Sequence, residues 1–123
     1  MLAINRDDKL KIMIDKVKQF CDERDWDQFH NPKDLAIGII TESSELLDIF
    51  RFKSEDETLA IINNPESRDK VGQELADILY FVLRFAQMYG FDLYDELNKK
   101  MRLNDKKYPV DKAKGSNNKY TEL

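Results

Sequence analysis

Two pairs of acidic residues have the spacing of side chains that hold a metal ion from a helix. Glu42 and Glu45 lie three residues apart, and so do Glu74 and Asp77. Residues three apart on a helix project from one face, so each pair presents two carboxylates in the same direction. At about 4 Å, each like-charged contact between two such helices costs on the order of 4 kcal/mol at an effective dielectric of 20. Four carboxylates in one cleft therefore need a counter-ion.

The donor types narrow the choice of counter-ion. An oxygen-only ligand set favours a hard divalent cation, which is magnesium, manganese or calcium. The chain has a single histidine, His30, and a single cysteine, Cys21. This composition excludes zinc sites built from several imidazoles and di-iron sites that need two Glu-x-x-His motifs. No glycine-rich phosphate loop is present in the sequence.

The hydrophobic pattern distinguishes these two pairs from ordinary surface acids. Glu42 interrupts an apolar stripe at helical spacing, and Asp77 interrupts the apolar run 75–91, where Arg84 is the other charged residue. We therefore expect Asp77 to be buried. The alternative is a solvated surface, because the chain is 36% charged and acidic pairs at the same spacing recur at Asp22 and Asp25 and at Asp92 and Asp95.

All the elements that must position these residues are predicted to be helices. The segment Asn31-Pro32-Lys33-Asp34 is typical of a helix start, with Asn31 as N-cap and Pro32 as first residue. No segment alternates with period two, and no hairpin turn is indicated. The sequence predicts an all-α bundle of four to five helices, at about 6–24, 32–50, 55–62, 68–90 and 93–107. We expect one domain over 1–109 and a polar, irregular tail of the same domain over 110–123.

The helix over 75–91 is apolar on most of its circumference. Such a helix needs cover on most sides, and a domain of this size has few layers to provide it. We expect a partner helix from a second copy of the chain, which gives a symmetric homodimer. Tight burial within one chain is the alternative.

Composition also limits the class of partner and the compartment. The formal net charge of −4 argues against a nucleic-acid partner. No apolar stretch reaches the ~20 residues of a membrane span, and the charged amino-terminal segment does not resemble a secretory signal. A lone cysteine fits a reducing compartment, so we expect a cytoplasmic protein with Cys21 as a small packed or half-exposed thiol.

Motifs in order along the chain resemble the all-α nucleotide pyrophosphohydrolases of the MazG superfamily and, more narrowly, the dCTP pyrophosphatase group. That family's Trp-x-x-Phe-His-x-Pro segment and Glu-x-x-Glu helix are similar to RDWDQFHNPKDLAIGIITESSELLDIF. Its Glu-x-x-Asp helix is similar to QELADILYFVLRFA, and its carboxyl segment to KMRLNDKKYPVDKAKGSNNKYTEL. Each motif is weak alone, but their order and intervals are specific.

The resemblance implies that Glu42, Glu45, Glu74 and Asp77 bind Mg²⁺, with Mn²⁺ able to substitute. It implies hydrolysis of a (deoxy)nucleoside triphosphate, with dCTP as the best candidate, to the monophosphate and pyrophosphate. Such an enzyme controls nucleotide pools or removes unwanted nucleotides. Glu45, or else Glu42, is then expected to activate the attacking water. A homodimer is a further expectation, and whether such dimers pair into tetramers is left open. The residues implied to contact the substrate are Trp26, His30, Phe52, Tyr80, Phe81, Lys100, Asn104 and Lys107.

Departures from the family pattern leave the base open. Phe52 stands where close relatives have tryptophan. Phe81 stands at the family's tyrosine position, and the tyrosine of this chain, Tyr80, is displaced by one residue. A one-residue shift rotates a helical side chain by about 100°. A same-scaffold hydrolase acting on another nucleotide such as dUTP is one alternative, and a non-catalytic helical dimerisation or binding module is another. Several residues implied to contact the substrate also have a structural alternative. Trp26 could pack against the edge of the hydrophobic core, and His30 could anchor its loop by a hydrogen bond. The lysines could belong to the solvated surface.

Overall fold

The computed structural model describes residues 9–123, which form six α-helices, two 3-10 turns and no strand. The turns are Asp27–Phe29 and Tyr120–Glu122. The all-α prediction is confirmed for these residues, and the predicted start of the first helix, at 6–8, lies outside them. The helices are α1 (Lys9–Glu23), α2 (Pro32–Phe50), α3 (Glu55–Asn63), α4 (Pro65–Tyr89), α5 (Leu93–Lys107) and α6 (Val110–Ala113).

Side-chain caps explain where several helices begin. The predicted N-cap of α2 is confirmed, because Asn31 Oδ1 accepts a hydrogen bond from the backbone N–H of Asp34 at 2.9 Å. Ser54 and Glu57 form a reciprocal capping box at the start of α3. At α5, Asp92 accepts a hydrogen bond from the backbone N–H of Asp95. These caps satisfy N–H groups that have no partner within the helix.

The described chain divides into two compact units, one that ends at Tyr89 and one over Gly90–Leu123. In the first unit, α4 packs against α2, α1 and α3. The approach of α2 to α4 depends on Gly38, because a Cβ at this position would lie 2.5 Å from the ring of Phe81. The buried apolar residues are Cys21, Leu35, Val71, Leu83 and Ala86.

The second unit contains α5, α6 and the final 3-10 turn. The rings of Tyr108 and Tyr120 lie 5.9 Å apart edge-on, and Lys107 Nζ lies 5.0 Å from the Tyr120 ring centroid. The expectation of an irregular tail is therefore wrong in part. Pro109 starts α6 by accepting a hydrogen bond from the Ala113 N–H, and the aromatic contact holds the last turn.

Helix α4 is less buried than its sequence predicted. Leu75 and Leu79 remain 53% and 42% exposed, because α4 packs against its neighbours with its other sides. The expectation that Asp77 is buried is wrong, since Asp77 is exposed, and burial within one chain does not account for these two leucines. Homodimerisation stays a prediction. Among the helices of residues 9–123, none has the length and apolar character needed to cross a bilayer.

Candidate active site

Three of the carboxylates predicted to bind metal meet where α2 packs on α4. Glu42 and Glu45 of α2 and Glu74 of α4 each offer one oxygen within 4.8 Å of the others. Helical spacing aligns the first two on one face of α2, and the packing of the two helices adds the third. We call these residues, together with Asp77, the acidic cluster.

The environment of the acidic cluster disfavours negative charge. Burial, then a hydrogen bond shared with Glu45 and the charges of the neighbouring carboxylates, raises the pKa of Glu42 to about 7. Burial, then the charge of Glu45, also raises the pKa of Glu74. The Oε2 atoms of Glu42 and Glu74 are shut off from solvent and have no hydrogen-bond partner among residues 9–123. Such groups are costly unless a ligand satisfies them.

Asp77 occupies the margin of the acidic cluster. Its charge contributes to the raised pKa values of Glu42 and Glu74, after burial and the influence of Glu45. Its carboxylate oxygens do not belong to the set that lies within 4.8 Å of one another. Its role as a metal ligand therefore stays a prediction.

Three of the aromatic residues predicted to contact substrate belong to one row of edge-on rings. Trp26 lies 5.5 Å from Phe20, Phe20 lies 6.1 Å from Tyr80, and Tyr80 lies 5.1 Å from Phe81. Phe20 was not predicted as a site residue, because helical spacing alone assigns it to the packed face of α1. Lys16, Val17, Phe20 and Tyr80 line a pocket of about 210 Å³ beside this row.

The polar end of Tyr80 is turned toward the protein. Its hydroxyl lies 3.1 Å from the sulfur of Cys21, which is fully buried, as predicted for a small packed thiol. Burial, then this hydrogen bond, raises the pKa of Tyr80, so the phenol stays neutral. Tyr80 thus presents its ring to the pocket, and its role in binding a base stays a prediction.

Phe52 lies outside any packed environment in this chain. Its side chain is 92% exposed and its φ is 65°, which is a left-handed conformation uncommon for a residue with a Cβ. The guanidinium of Arg51 lies 4.5 Å from the centroid of its ring. The structure does not bring Phe52 into the aromatic row, and its substrate contact stays a prediction.

A second polar group on α4 was missed by sequence reasoning. Arg84 is completely buried. Its Nε donates to His30 Nδ1 at 2.9 Å, its Nη1 donates to Gln87 Oε1 at 2.6 Å, and its Nη2 pairs with Asp27 Oδ1. His30 therefore fastens its loop by a hydrogen bond, the alternative role considered for it above. The available signal was a lone arginine within the apolar run 75–91.

The remaining predicted substrate residues lie on α5 in the second unit. Lys100 and Lys107 are exposed, and Asn104 is half-buried. Spacings of four and three residues place all three on one face of the helix. Their predicted contacts with phosphates and sugar stay predictions.

Comparisons with known proteins give a consistent picture. A family model, the MazG-like family, matches residues 37–123. Over 105 residues the chain is 36% identical to dCTP pyrophosphatase 1 of Mus musculus and of Bos taurus, and 35% identical to that of Homo sapiens. These alignments cover 85% of this chain but 62% of each relative, so the chain spans less than two thirds of their length.

A solved structure shows the same architecture. The crystal structure of a pyrophosphatase from Archaeoglobus fulgidus superposes with a TM-score of 0.78 at 29% identity. The superposition covers 89% of this chain and 98% of the other. The helices that carry the acidic cluster therefore belong to a fold already seen in a pyrophosphatase.

Proposed function

We propose that this chain, which belongs to the MazG-like family, is a metal-dependent pyrophosphohydrolase that converts a nucleoside triphosphate to the monophosphate and pyrophosphate. The observation that carries the proposal is the meeting of Glu42, Glu45 and Glu74 within 4.8 Å, with two buried carboxylate oxygens lacking a partner among the described residues. Relatives named dCTP pyrophosphatase and a pyrophosphatase of similar fold support it.

The acidic cluster fits a hard divalent cation. Its donors are all oxygens, and the orphan Oε2 atoms of Glu42 and Glu74 are acceptors that a cation would satisfy. Glu42, Glu45 and Glu74 would hold the ion, and we propose Asp77 as a fourth ligand. A bound Mg²⁺, or Mn²⁺ in its place, would neutralise triphosphate charge and stabilise the pyrophosphate leaving group.

The carboxylates also account for activation of water. In the proposed reaction, water forms a new P–O bond at the α-phosphorus while the bond to the α,β-bridging oxygen breaks, and pyrophosphate leaves. Glu45 is exposed beside the half-buried Glu42 and Glu74, so of these three carboxylates it is the one that water and substrate reach most readily. We assign to Glu45 the orientation of the water and acceptance of its proton, with Glu42 as the second candidate.

The aromatic row is proposed as the surface for the base. Trp26 and Tyr80 flank Phe20, and Phe81 continues the row toward α2, which carries two of the carboxylates. Aromatic rings provide apolar area on which a base packs. A deoxynucleotide similar to dCTP is the best candidate substrate, in line with the relatives' names. Lys100, Asn104 and Lys107 are proposed to contact phosphates and sugar, with the lysines acting as point charges.

A homodimer would cover the exposed part of α4. Leu75 and Leu79 present apolar surface on the helix that also carries Glu74, so a second copy packed there would lie next to the acidic cluster. We propose this dimer, with further pairing into tetramers, as the working form in the cytoplasm, where the enzyme would control nucleotide pools.

Pyrophosphate release from a panel of common and modified triphosphates, with and without Mg²⁺, tests the proposal. We expect Mg²⁺-dependent formation of equimolar monophosphate and pyrophosphate, with the highest kcat/KM for a pyrimidine deoxynucleotide. Stepwise release of inorganic phosphate would contradict the assigned bond cleavage. Absence of turnover and of any nucleotide-induced thermal shift would favour a non-catalytic module instead.

A further inference from the structure

We propose that Arg84 is a positioning residue that holds the Trp26 loop, residues 25–30, in the conformation that receives the nucleotide base. The proposal rests on the function proposed above, because it assigns Trp26 to the base-binding surface. It does not depend on which base is preferred. Arg84 itself is completely buried, so it acts through the loop rather than by contact with the nucleotide.

The first support is the geometry of the guanidinium. An arginine without exposed surface is unfavourable unless its charge and donors are satisfied. Arg84 meets this need with acceptors from three directions, and two of them, His30 and Asp27, belong to the loop. These partners are 54 and 57 residues away in sequence, so the hydrogen bonds join the loop to α4 across the unit. The planar fork of arginine suits this arrangement, whereas lysine offers a single point charge.

The second support is the exposure of the loop itself. The side chain of Asp27 is 64% exposed, and Phe29 is 63% exposed. The backbone hydrogen bonds of Trp26, Phe29 and His30 are local, with acceptors at Cys21, Trp26 and Asp27 respectively. A loop with local hydrogen bonds and exposed side chains is held weakly, so tethers from a long helix determine its position.

The third support is the contact between His30 and Trp26. Their rings lie 6.1 Å apart and edge-on, and Phe20 contacts the indole from another side at 5.5 Å. Because His30 Nδ1 accepts the hydrogen bond from Arg84, the ring proton of neutral His30 lies on Nε2. Burial, then the charge of Arg84, lowers the pKa of His30 and keeps it in this neutral form. Arg84 thus fixes the ring that borders Trp26.

The position of Arg84 separates its effect from the chemical step. It lies ten residues beyond Glu74 on α4, a distance of about 15 Å along the helix axis. A variant that releases the loop should therefore weaken binding of the base and leave the acidic cluster in place. A loss of positioning is expected to appear in KM more than in kcat.

The test compares Arg84→Met and Arg84→Lys with Arg68→Met, a matched control at an exposed arginine on the same helix. With the preferred triphosphate and Mg²⁺, we expect KM to rise about tenfold for Arg84→Met, well within the effect of a displaced binding group, and kcat to change less than about threefold. Arg84→Lys should raise KM as well, because charge alone does not replace the fork. Arg68→Met should match the wild type.

Fluorescence provides a readout that needs no nucleotide. Trp26 is the single tryptophan of the chain, so its emission reports the loop alone. In Arg84→Met we expect a red-shifted emission maximum and stronger quenching by acrylamide than in the wild type or Arg68→Met. If Arg84→Met does not fold, Asp27→Ala removes one tether at an exposed side chain and should give the same changes in smaller degree.

The outcomes separate this inference from the proposed function. Folded Arg84 variants with unchanged KM and unchanged emission would overturn the positioning role. Lower kcat at constant KM, with unchanged emission, would indicate only loss of folded enzyme and would also overturn it. If wild-type protein hydrolyses no triphosphate, the proposed function fails, while the emission comparison still decides whether Arg84 holds the loop.

Discussion

The acidic cluster and the Arg84 network use the same helix, α4, and balance their charge in different ways. Around Glu74 the neighbours are further carboxylates, and two buried oxygens have no partner among the described residues. Around Arg84 a buried cation meets Asp27, His30 and Gln87, which together occupy a donor on each of its three nitrogens. Among the described residues each guanidinium nitrogen of Arg84 has an acceptor, whereas the buried Oε2 atoms of Glu42 and Glu74 have no donor.

This difference indicates a structural role for the Arg84 network and a chemical role for the acidic cluster. A satisfied buried charge fixes the elements that supply its partners. A group of like charges with raised pKa values stores unfavourable energy that a cation would relieve. The same helix therefore carries Glu74 of the acidic cluster, which we propose to bind a cation, and, further along, Arg84, which is hydrogen-bonded to the loop 25–30.

The largest expected effect is on activity when one carboxylate is neutralised. We expect Glu42→Gln to lower pyrophosphate release by about 100- to 1,000-fold, in the range observed when one transition-state contact is removed. The fold should remain, because the change removes charge repulsion from the acidic cluster. Steady-state assays and circular dichroism check both statements. Asp95→Asn, in the acidic pair Asp92 and Asp95, is the control. Full activity of Glu42→Gln would contradict the role of the acidic cluster in the reaction.

Metal binding should distinguish the two regions next. At Mg²⁺ concentrations of about 100 times Kd, the free energy of unfolding should rise by about 2.7 kcal/mol through mass action. Glu42→Gln should lose most of this increase, and Arg84→Met should keep it. Denaturant unfolding at several Mg²⁺ concentrations measures the effect. An equal increase in wild type and Glu42→Gln would place the ion elsewhere.

The contact between α2 and α4 can be tested at Gly38. A Cβ there would lie 2.5 Å from the Phe81 ring, so Gly38→Ala should lower the free energy of unfolding by about 1–3 kcal/mol. Because Glu42 lies one turn beyond Gly38 on α2, the affinity for Mg²⁺ should fall as well. Gly72→Ala on α4 is the matched control. Apart from its chain neighbours and the adjacent backbone of α4, no atom of the described residues lies within 4 Å of its Cβ position, and the substitution should stabilise the helix by about 0.5–1 kcal/mol.

The smallest effect is the dependence of stability on pH, and its sign should differ between the two regions. Glu42 has a pKa of about 7 when folded against an ordinary value of 4.5, so its contribution is present below about 4.5 and is lost as pH rises through 7. Burial lowers the pKa of His30 below 6.5, and the hydrogen bond from Arg84 lowers the pKa of Asp27 below 3.8. Their contributions are lost as pH falls below these values.

Metal-free unfolding curves between about pH 2 and 9 test the two signs. Glu42→Gln should flatten the decline between about pH 4.5 and 7, and Asp27→Ala should flatten the decline below about pH 3.8. Added Mg²⁺ should remove the decline between about pH 4.5 and 7 in the wild type. A wild-type protein without metal that gains stability between pH 6 and 8 would contradict the assigned state of the acidic cluster.

Local signals made the helices and three of the clustered carboxylates predictable. The capping residues of α2 and the apolar periodicity placed its bounds at Pro32 and Phe50, as the structure has them. Once two helices are amphipathic and adjacent, acids that interrupt their packed faces are expected to meet. Glu42 follows this rule, whereas Glu45 and Glu74 were predicted from their three-residue spacing to Glu42 and Asp77, and Asp77 itself lies outside the set.

The exposure of Asp77 and the burial of Arg84 could not be predicted from the same signals. The two residues are seven apart, about two helical turns, so periodicity assigns them to one face. A helix that is apolar nearly all round gives no preferred side, and the neighbours that bury Arg84 come from distant loop residues. The spacing of residues along one helix carries no information about contacts made by residues that are distant in sequence.

The sulfur of Cys21, shut beneath the hydroxyl of Tyr80, gives the folded chain a chemical inertness that its composition does not reveal. Alkylating reagents and peroxides attack an accessible thiolate, so this side chain stays unreactive until α1 separates from α4. The rate at which Cys21 is modified therefore reports how often α1 and α4 separate.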